Sequence, residues 1–147
     1  MRSQIKFKRI SKFNYSALND LNNLYSQLSF SNFKKQISAG YLKKILKDKN
    51  VYLCGLYDGK RIIGTGTIIL MQPLGGIRAY LDAMVVDEAY RGQGLGKMII
   101  NELLKTARKL KAQRMEFTSR PARKAANALY KKTGFKQRET NVYEKKL

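Results

Sequence analysis

The sequence contains no histidine or tryptophan, one cysteine and two prolines, and 10 acidic residues stand against 30 basic ones. Without histidine, the chain lacks the usual general base, the commonest zinc ligand and the Ser-His and Cys-His pairs of nucleophilic enzymes. Cys54 lies in the apolar run from Val51 to Tyr57, so we interpret it as a small buried hydrophobic residue. No metal site is expected, and acid–base chemistry must use carboxylates, tyrosine, lysine or water.

Long apolar runs are also missing. No stretch approaches the roughly 18 apolar residues of a membrane helix, and the start of the chain, Met1 to Lys8, lacks the apolar run of a signal peptide. We therefore expect a cytoplasmic protein that does not bind a membrane. A length of 147 residues fits a single domain spanning 1–147, as a monomer or a homodimer.

The charge balance gives a net charge of +20, and such a field concentrates anions, phosphorylated ligands among them, near the surface. The basic residues are spread over the chain, with local runs at Lys105 to Arg114 and Arg120 to Lys124. No recognised nucleic-acid motif organises them. The charge thus indicates either a nucleic-acid contact, which no motif supports, or a solvated lysine-rich surface.

Hydrophobic periodicity predicts a mixed α/β fold with a sheet covered by helices. Strands are predicted at Ile5 to Phe7, Val51 to Tyr57, Ile62 to Met71, Ala79 to Val86 and Met115 to Phe117, with a last pair between Phe135 and Leu147. Helices are predicted around Leu18 to Leu28, from a cap at Ser31 through Phe33 and Ile37 to Ile45, from Gly96 to Leu110, and from Pro121 to Gly134. Asp58-Gly59 predicts a tight hairpin turn.

A glycine-rich turn, Arg91-Gly92-Gln93-Gly94-Leu95-Gly96-Lys97, lies between a predicted strand and a predicted helix. A helix N-terminus presents unpaired N–H groups and a partial positive charge, and glycines let the backbone approach a phosphate closely. The glycine spacing is one residue short of the dinucleotide fingerprint, and a Walker loop needs one more residue between its glycines. The turn therefore predicts a phosphate site of another kind, or a turn without a ligand.

These residues resemble the signature of the GNAT (Gcn5-related) N-acetyltransferases, Arg/Gln-x-x-Gly-x-Gly/Ala after the fourth strand, with Arg91, Gly94 and Gly96 in its positions. The segment from Ala126 to Phe135 is similar to the family's ending, in which a Leu-Tyr pair is followed by Gly-Phe. The resemblance implies an acetyl-CoA-dependent N-acetyltransferase without a metal. It also implies a mostly antiparallel sheet of six to seven strands, helices on both faces and a splay after strand four.

The resemblance also assigns contacts to the cofactor. The backbone of Met84, Val85 and Val86 would bind the pantetheine, and the amides of Gly92, Gln93, Gly94, Leu95, Gly96 and Lys97 would bind the pyrophosphate. Arg91 would either reach a phosphate or hold the turn in shape. Many relatives carry asparagine where this chain has Arg123, so Asn127 is a weaker candidate for that contact.

For the chemistry, the resemblance makes Tyr130 the proton donor to the leaving thiolate, or a residue that packs against the cofactor. A phenol, with a pKa of about 10, is comparable to the leaving thiol. Asp82 is the candidate base, with Glu116, Glu139 or water as alternatives.

The acceptor is expected to be the primary amine of a small molecule, acetylated by direct transfer in a ternary complex. A positive surface repels polycations, which favours a neutral or anionic acceptor such as a phosphorylated amino sugar. Binding is expected around the helices from Tyr15 to Leu46 and the segment from Arg138 to Asn141. The alternative acceptors are aminoacyl-tRNA and a protein N-terminus. The alternative function is a non-catalytic acyl-CoA-binding module.

Overall fold

The computed structural model describes residues 4–28 and 36–147. In chain order the elements are β1 (Lys6–Arg9), α1 (Tyr15–Ser26), α2 (Ala39–Lys47), β2 (Val51–Asp58), β3 (Arg61–Met71), β4 (Arg78–Val86), a 3₁₀ turn (Glu88–Tyr90), α3 (Leu95–Lys109), β5 (Met115–Glu116) and α4 (Lys124–Lys132). The strands lie side by side in chain order. β1 to β4 are antiparallel neighbours, and β5 runs parallel to β4.

The hairpin between β2 and β3 forms where Asp58-Gly59 predicts it. Asp58 pairs with Arg61, and Gly59 takes the left-handed conformation with φ of 59°, which costs glycine nothing. β2 and β3 pair along their length from Asp58 back to Val51, and they lie between β1 and β4 in the interior of the sheet.

Helices cover both faces of the sheet, as predicted. On one face α3 buries Ile99 and Leu103 against Leu56 and Ile68. On the other, α1 and α2 bury leucines against Leu53 and Ile62; the helical leucines are Leu18, Leu21, Leu24 and Leu42. Since burying such a side chain contributes about 1.5–3 kcal/mol, these two layers hold β3 and β4 in place.

The second predicted helix begins later than its pattern indicates. It starts at Ala39, where the side chain of Ser38 accepts a hydrogen bond from the Tyr41 N–H, so Ser38 is its N-cap. Ile37 lies outside the helix because its backbone bonds to the side chain of Asn22 in α1. The predicted cap Ser31 and Phe33 lie outside the described residues.

The sheet splays between β4 and β5. The two strands pair only at Ala79 with Met115 and at Tyr80 with Glu116. Beyond Tyr80, β4 continues to Val86 without a pairing on this side in residues 36–147. A bulge accompanies the separation: Thr65 pairs with Val85 and Thr67 with Asp82, so two β4 residues oppose one of β3. Ala83, one of the two, has φ of 45°. A bulge bends its strand, and the bend leaves a V-shaped opening.

Residues 4–28 and 36–147 form a sheet of five strands, which is fewer than the six to seven expected. The predicted last pair does not form, because residues 136–147 are exposed in the described chain and bury no apolar face that would favour a strand. The final helix begins at Lys124 instead of Pro121, because Pro121 and Ala122 form a turn. Gly134, with φ of 95°, follows its end.

Candidate active site

A groove of about 450 Å³ fills the opening between β4 and β5. Leu81, Ala83 and Met84 form the wall on the β4 side. Phe117, Ser119 and Tyr130 belong to the opposite wall. Because β4 has no partner strand here, the groove presents the free edge of a strand, which can pair with an extended ligand as another strand would.

The hydroxyl of Ser119 is buried and has no hydrogen-bond partner within the described residues. An unpaired buried hydroxyl is costly unless a partner supplies the missing bond. Ser119 lines the groove, so a polar ligand group bound there would satisfy it.

The glycine-rich turn after β4 presents a row of free amides. Gly92 and Gly94 take the left-handed conformation, with φ of 78° and 77°, and Gly94 is the N-cap of α3 without a side-chain cap. The first helical bond joins the Met98 N–H to the Gly94 carbonyl at 3.1 Å. In the described chain, none of the six N–H groups from Gly92 to Lys97 donates a hydrogen bond. The turn therefore fits an anion such as a pyrophosphate.

Glycine is needed at position 96 for a different reason than the sequence indicates. A Cβ atom on Gly96 would lie 3.0 Å from Leu129 Cδ2 in α4, whereas a Cβ on Gly94 would meet nothing within 4 Å. Gly96 thus permits close packing of α3 against α4, and Gly94 keeps the space beside the free amides open.

Long-range polar contacts hold the turn in place. Asp87 is 3 % exposed, accepts a bond from the Ala89 N–H at 3.0 Å and pairs with Arg61 at 2.8 Å. The Tyr90 hydroxyl donates to Asp58 at 2.9 Å. These contacts fasten the turn to the β2–β3 hairpin. Sequence analysis missed them because the partners are 26 and 32 residues apart; only the Asp87–Ala89 cap had a local signal.

Tyr130 is held in an aromatic cluster on the wall of the groove. Its ring packs edge-on against Phe117, with centroids 4.4 Å apart, and against Phe135 at 6.2 Å. The residue is 6 % exposed. Burial raises the pKa of the Tyr130 phenol, while the charge and the N–H groups of the Arg123 guanidinium oppose the increase.

The sequence model of the acetyltransferase (GNAT) family matches residues 16–135. The chain belongs to the GNAT acetyltransferase family. No curated protein sequence matches it.

Solved structures agree in fold with this GNAT chain. An aminoglycoside acetyltransferase, meta-AAC0020, from an uncultured soil metagenomic sample superposes with a TM-score of 0.86 at 18% identity, over 97% of this chain and 95% of its own. A protein described as a transcriptional regulator from Bacillus halodurans C-125 gives 0.83 at 20%, over 97% and 99%. AAC(6')-Iy, bound to the bisubstrate analogue CoA-S-monomethyl-acetylneamine, gives 0.80 at 15%, over 99% of each chain.

Two residues of the GNAT signature segments make backbone contacts in the structure. Arg91 Nε donates to the carbonyl of Val86 at 3.1 Å, a bond across the turn that helps to hold its shape. Asn127 Nδ2 donates to the carbonyl of Arg120 at 3.0 Å, which fastens the loop before α4. Direct contacts of Arg91 and Asn127 with a cofactor stay predictions.

The predicted base, Asp82, is not part of the groove lining that contains Tyr130. It pairs with Thr67 in the β3–β4 ladder. Partial burial raises the pKa of the Asp82 carboxyl. Its neighbour in α1 is Tyr25: burial and the Asp82 charge raise the pKa of Tyr25 to about 12, opposed by a hydrogen bond with Thr67.

The predicted alternative base Glu116 is engaged elsewhere. Its carboxylate pairs with Arg78 at 3.0 Å, Arg138 at 3.1 Å and Arg114 at 3.3 Å. Asp82, by contrast, makes no ion pair in residues 4–28 and 36–147. Of these two carboxylates, Asp82 is thus the one without a fixed cationic partner.

A second groove, of about 580 Å³, runs along α3 of the GNAT chain and reaches Thr133 at the end of α4. It begins at Gly94 and includes Lys97, Lys105 and Arg108. The spacing of these basic residues places them along one side of the helix. The groove is continuous with the turn through Gly94. Its lining also includes Glu102, which pairs with Lys105 at 2.6 Å, so its net positive charge comes from Lys97 and Arg108.

Metal-binding side-chain clusters and membrane-spanning helices are both absent from the described residues. No group of three or more His, Cys, Asp or Glu side chains there is placed to hold a metal ion. None of the helices described is both long enough and apolar enough to cross a membrane.

Proposed function

We propose that this GNAT protein transfers the acetyl group of acetyl-CoA to a primary amine of a small, neutral or anionic molecule. The observation that carries the proposal is the run of six free amides from Gly92 to Lys97 directly after the open edge of β4. A thioester cofactor with an extended pantetheine and a pyrophosphate matches both features in chain order. The free edge would bond to the amide groups of the pantetheine, and the turn would bond to the phosphates.

The remaining part of the cofactor has a matching surface. Lys97 and Arg108 line the groove along α3, where they would bind the further phosphate of the nucleotide; Lys105 beside them pairs with Glu102. Ser119, with its unpartnered hydroxyl, would bond to a polar atom in the splay.

Bound acetyl-CoA supplies the acetyl group as a thioester. Tyr130 would give its hydroxyl proton to the sulfur as the carbon–sulfur bond breaks and the amine nitrogen bonds to the acetyl carbon. Asp82, or water, would take the proton that the amine loses. Direct transfer is favoured because Cys54, the one cysteine, is 2 % exposed in the core and the chain has no histidine to form a covalent acetyl intermediate.

The acceptor class follows from the charge and from the solved relatives. One of these solved structures is described as an aminoglycoside acetyltransferase, and another, AAC(6')-Iy, is bound to the bisubstrate analogue CoA-S-monomethyl-acetylneamine, so an amino sugar is a natural class to test. Aminoglycosides are polycations, however, and a chain with a net charge of +20 repels them. A neutral or phosphorylated amino sugar is therefore preferred.

Calorimetry and a CoA-release assay would test the proposal. Acetyl-CoA should bind more tightly than ATP or NAD, and release of CoA should be fastest with an amine that is neutral or anionic overall. Aminoacyl-tRNA, an N-terminal peptide and a polycationic aminoglycoside complete the panel. Equal or tighter binding of ATP or NAD would overturn the cofactor assignment, and faster turnover of the aminoglycoside would overturn the acceptor class.

Tyr130→Phe tests the acid role. The variant keeps the ring and its contacts with Phe117 and Phe135, so acetyl-CoA affinity should stay while kcat falls by about 10²- to 10⁴-fold. Tyr52→Phe, which preserves the ring beneath Arg9, is the matched control and should retain activity. Wild-type turnover in Tyr130→Phe would show that Tyr130 is not the acid and only packs in the groove.

A further inference from the structure

Arg123 lies where the chain turns into α4, on the wall of the splay groove. Its N–H donates to the carbonyl of Arg120 at 3.0 Å, and its carbonyl accepts from the Asn127 N–H at 2.9 Å. Both backbone groups are thus held by the chain on either side. Arg123 and Tyr130 line the same groove, so the arginine side chain extends from a fixed backbone position on the wall that also holds the phenol.

The Tyr130 hydroxyl has little freedom to move away from this wall. Its ring is packed against Phe117 and Phe135, and only 6 % of the residue is exposed. The Arg123 guanidinium lies in the same groove lining, near enough for its charge and its N–H groups to lower the pKa of the phenol against the effect of burial. A guanidinium has donors only, so toward Arg123 the Tyr130 oxygen is the acceptor and its own proton points elsewhere.

Arg123 makes no ion pair with a carboxylate among residues 4–28 and 36–147. Because no carboxylate is paired with it, the guanidinium acts on the phenol with its full positive charge. The other residues that face the groove from β4, from the chain after α1 and from the C-terminal segment are uncharged: Leu81, Ala83, Met84, Leu28 and Val142. Arg120, on the loop before α4, is the other charged side chain in the lining.

We propose that Arg123 is a positioning residue that orients the Tyr130 hydroxyl toward the thioester sulfur and stabilises the negative charge left on its oxygen. The proposal rests on the proposed acetyl transfer. In that reaction the amine nitrogen bonds to the acetyl carbon and the carbon–sulfur bond breaks. Tyr130 passes its proton to the sulfur, and the proton lost by the amine, through the base or water, restores the phenol. The positive charge of Arg123 stabilises the phenolate that Tyr130 becomes when it has given up its proton.

A titration without cofactor or substrate tests the contact itself. In protein labelled with ¹³Cζ-tyrosine, the Tyr130 signal is assigned by its loss in Tyr130→Phe. Arg123→Gln should move its titration to higher pH, because the neutral amide removes the charge that favours the phenolate. Arg123→Lys should move it less. Lys60→Gln, which removes one charge from the exposed hairpin turn, is the control and should leave it in place.

Kinetics test the role in the reaction. Arg123→Gln should lower kcat by about ten- to a hundredfold, as expected for loss of a hydrogen bond to a charged group, with little change in the KM for acetyl-CoA. The alkaline limb of the kcat profile should move to higher pH, and Arg123→Lys should restore part of the rate. In a Tyr130→Phe background, Arg123→Gln should have little further effect.

Three results would overturn the inference: an unmoved Tyr130 titration, a rise in KM with unchanged kcat, or a full Arg123→Gln loss in the Tyr130→Phe background. The last result would assign Arg123 to a direct contact with the ligand. If the wild type releases no CoA with any amine, the proposed function is wrong. The Tyr130 titration would still decide whether the two side chains are coupled.

Discussion

Replacement of Gly94 by alanine should lower both the stability of the fold and the affinity for acetyl-CoA, and the two effects can be measured separately. Gly94 has φ of 77°, a conformation that costs an L-residue about 1–2 kcal/mol. The added Cβ meets no protein atom within 4 Å, so no packing penalty is added. With a shift of about 2–4 °C per kcal/mol for a chain of this size, we expect the melting temperature to fall by roughly 2–8 °C.

The same methyl group would occupy the space beside the free amides, where the pyrophosphate is proposed to bind. Losing one hydrogen bond between an amide and a charged oxygen costs about 1.5–3 kcal/mol. Acetyl-CoA affinity should therefore fall by about ten- to a hundredfold, well beyond what the loss in stability explains.

Gly96→Ala is the matched variant, because it adds the same methyl group two residues later. Its Cβ would lie 3.0 Å from Leu129 Cδ2, so the tip of a flexible side chain must shift, at about 1–3 kcal/mol. Alanine has a higher helix propensity than glycine, and this difference stabilises the folded state by about 1 kcal/mol. Stability should change modestly, and acetyl-CoA affinity should stay close to that of the wild type.

Thermal unfolding without ligand and calorimetric titration with acetyl-CoA measure the two quantities separately. The reasoning is refuted if Gly94→Ala binds acetyl-CoA as tightly as the wild type. A loss of affinity in Gly96→Ala equal to that of Gly94→Ala would also refute it, since the two glycines would then not differ in role.

Two further predictions concern groups with raised pKa values. Partial burial raises the pKa of the Asp82 carboxyl, so the folded state favours its protonated form and stability falls as pH rises from the ordinary Asp range through the raised pKa. Because Asp82 is still exposed to solvent, the effect is small, and Asp82→Asn should be at least as stable as wild type at pH 7 in thermal unfolding. Its rate should fall and the acid limb of kcat should vanish, and a retained limb would exclude Asp82 as the base. Burial also raises the pKa of Cys54 to about 11, leaving about one thiolate in a thousand at pH 8. Native protein should not react with a thiol reagent, and one thiol per chain should react after unfolding in guanidinium, whereas fast native labelling would contradict the burial of Cys54.

Local patterns in the sequence are sufficient for much of the fold. Asp58-Gly59 predicts the hairpin because a left-handed turn needs residues that tolerate positive φ, and the structure confirms it. The glycines after β4 predict a turn with accessible amides before a helix, and Gly92 and Gly94 have the expected conformation. These features depend on neighbours along the chain, so a single sequence is enough to locate them.

The predicted start of the second helix and the predicted last strand pair were wrong, because contacts with distant residues override the local pattern there. Ile37 has helical spacing, yet its backbone bonds to Asn22 in α1 and the helix starts at Ala39. A last pair of strands was expected between Phe135 and Leu147. Phe135 instead packs on Phe117 and Tyr130, and residues 136–147 are exposed.

The sequence by itself determined the turn, the hairpin, the family resemblance and the absence of histidine chemistry. Only the tertiary structure placed Arg123 at the Tyr130 hydroxyl, surrounded Glu116 with three arginines and gave Gly96 its packing role against Leu129. Apart from Arg123 and Tyr130, which are seven residues apart, and Arg114 and Glu116, which are two apart, these partners lie far apart in the chain. Their contacts depend on how α3, α4 and the sheet edges pack, and residue spacing alone carries no information on that packing.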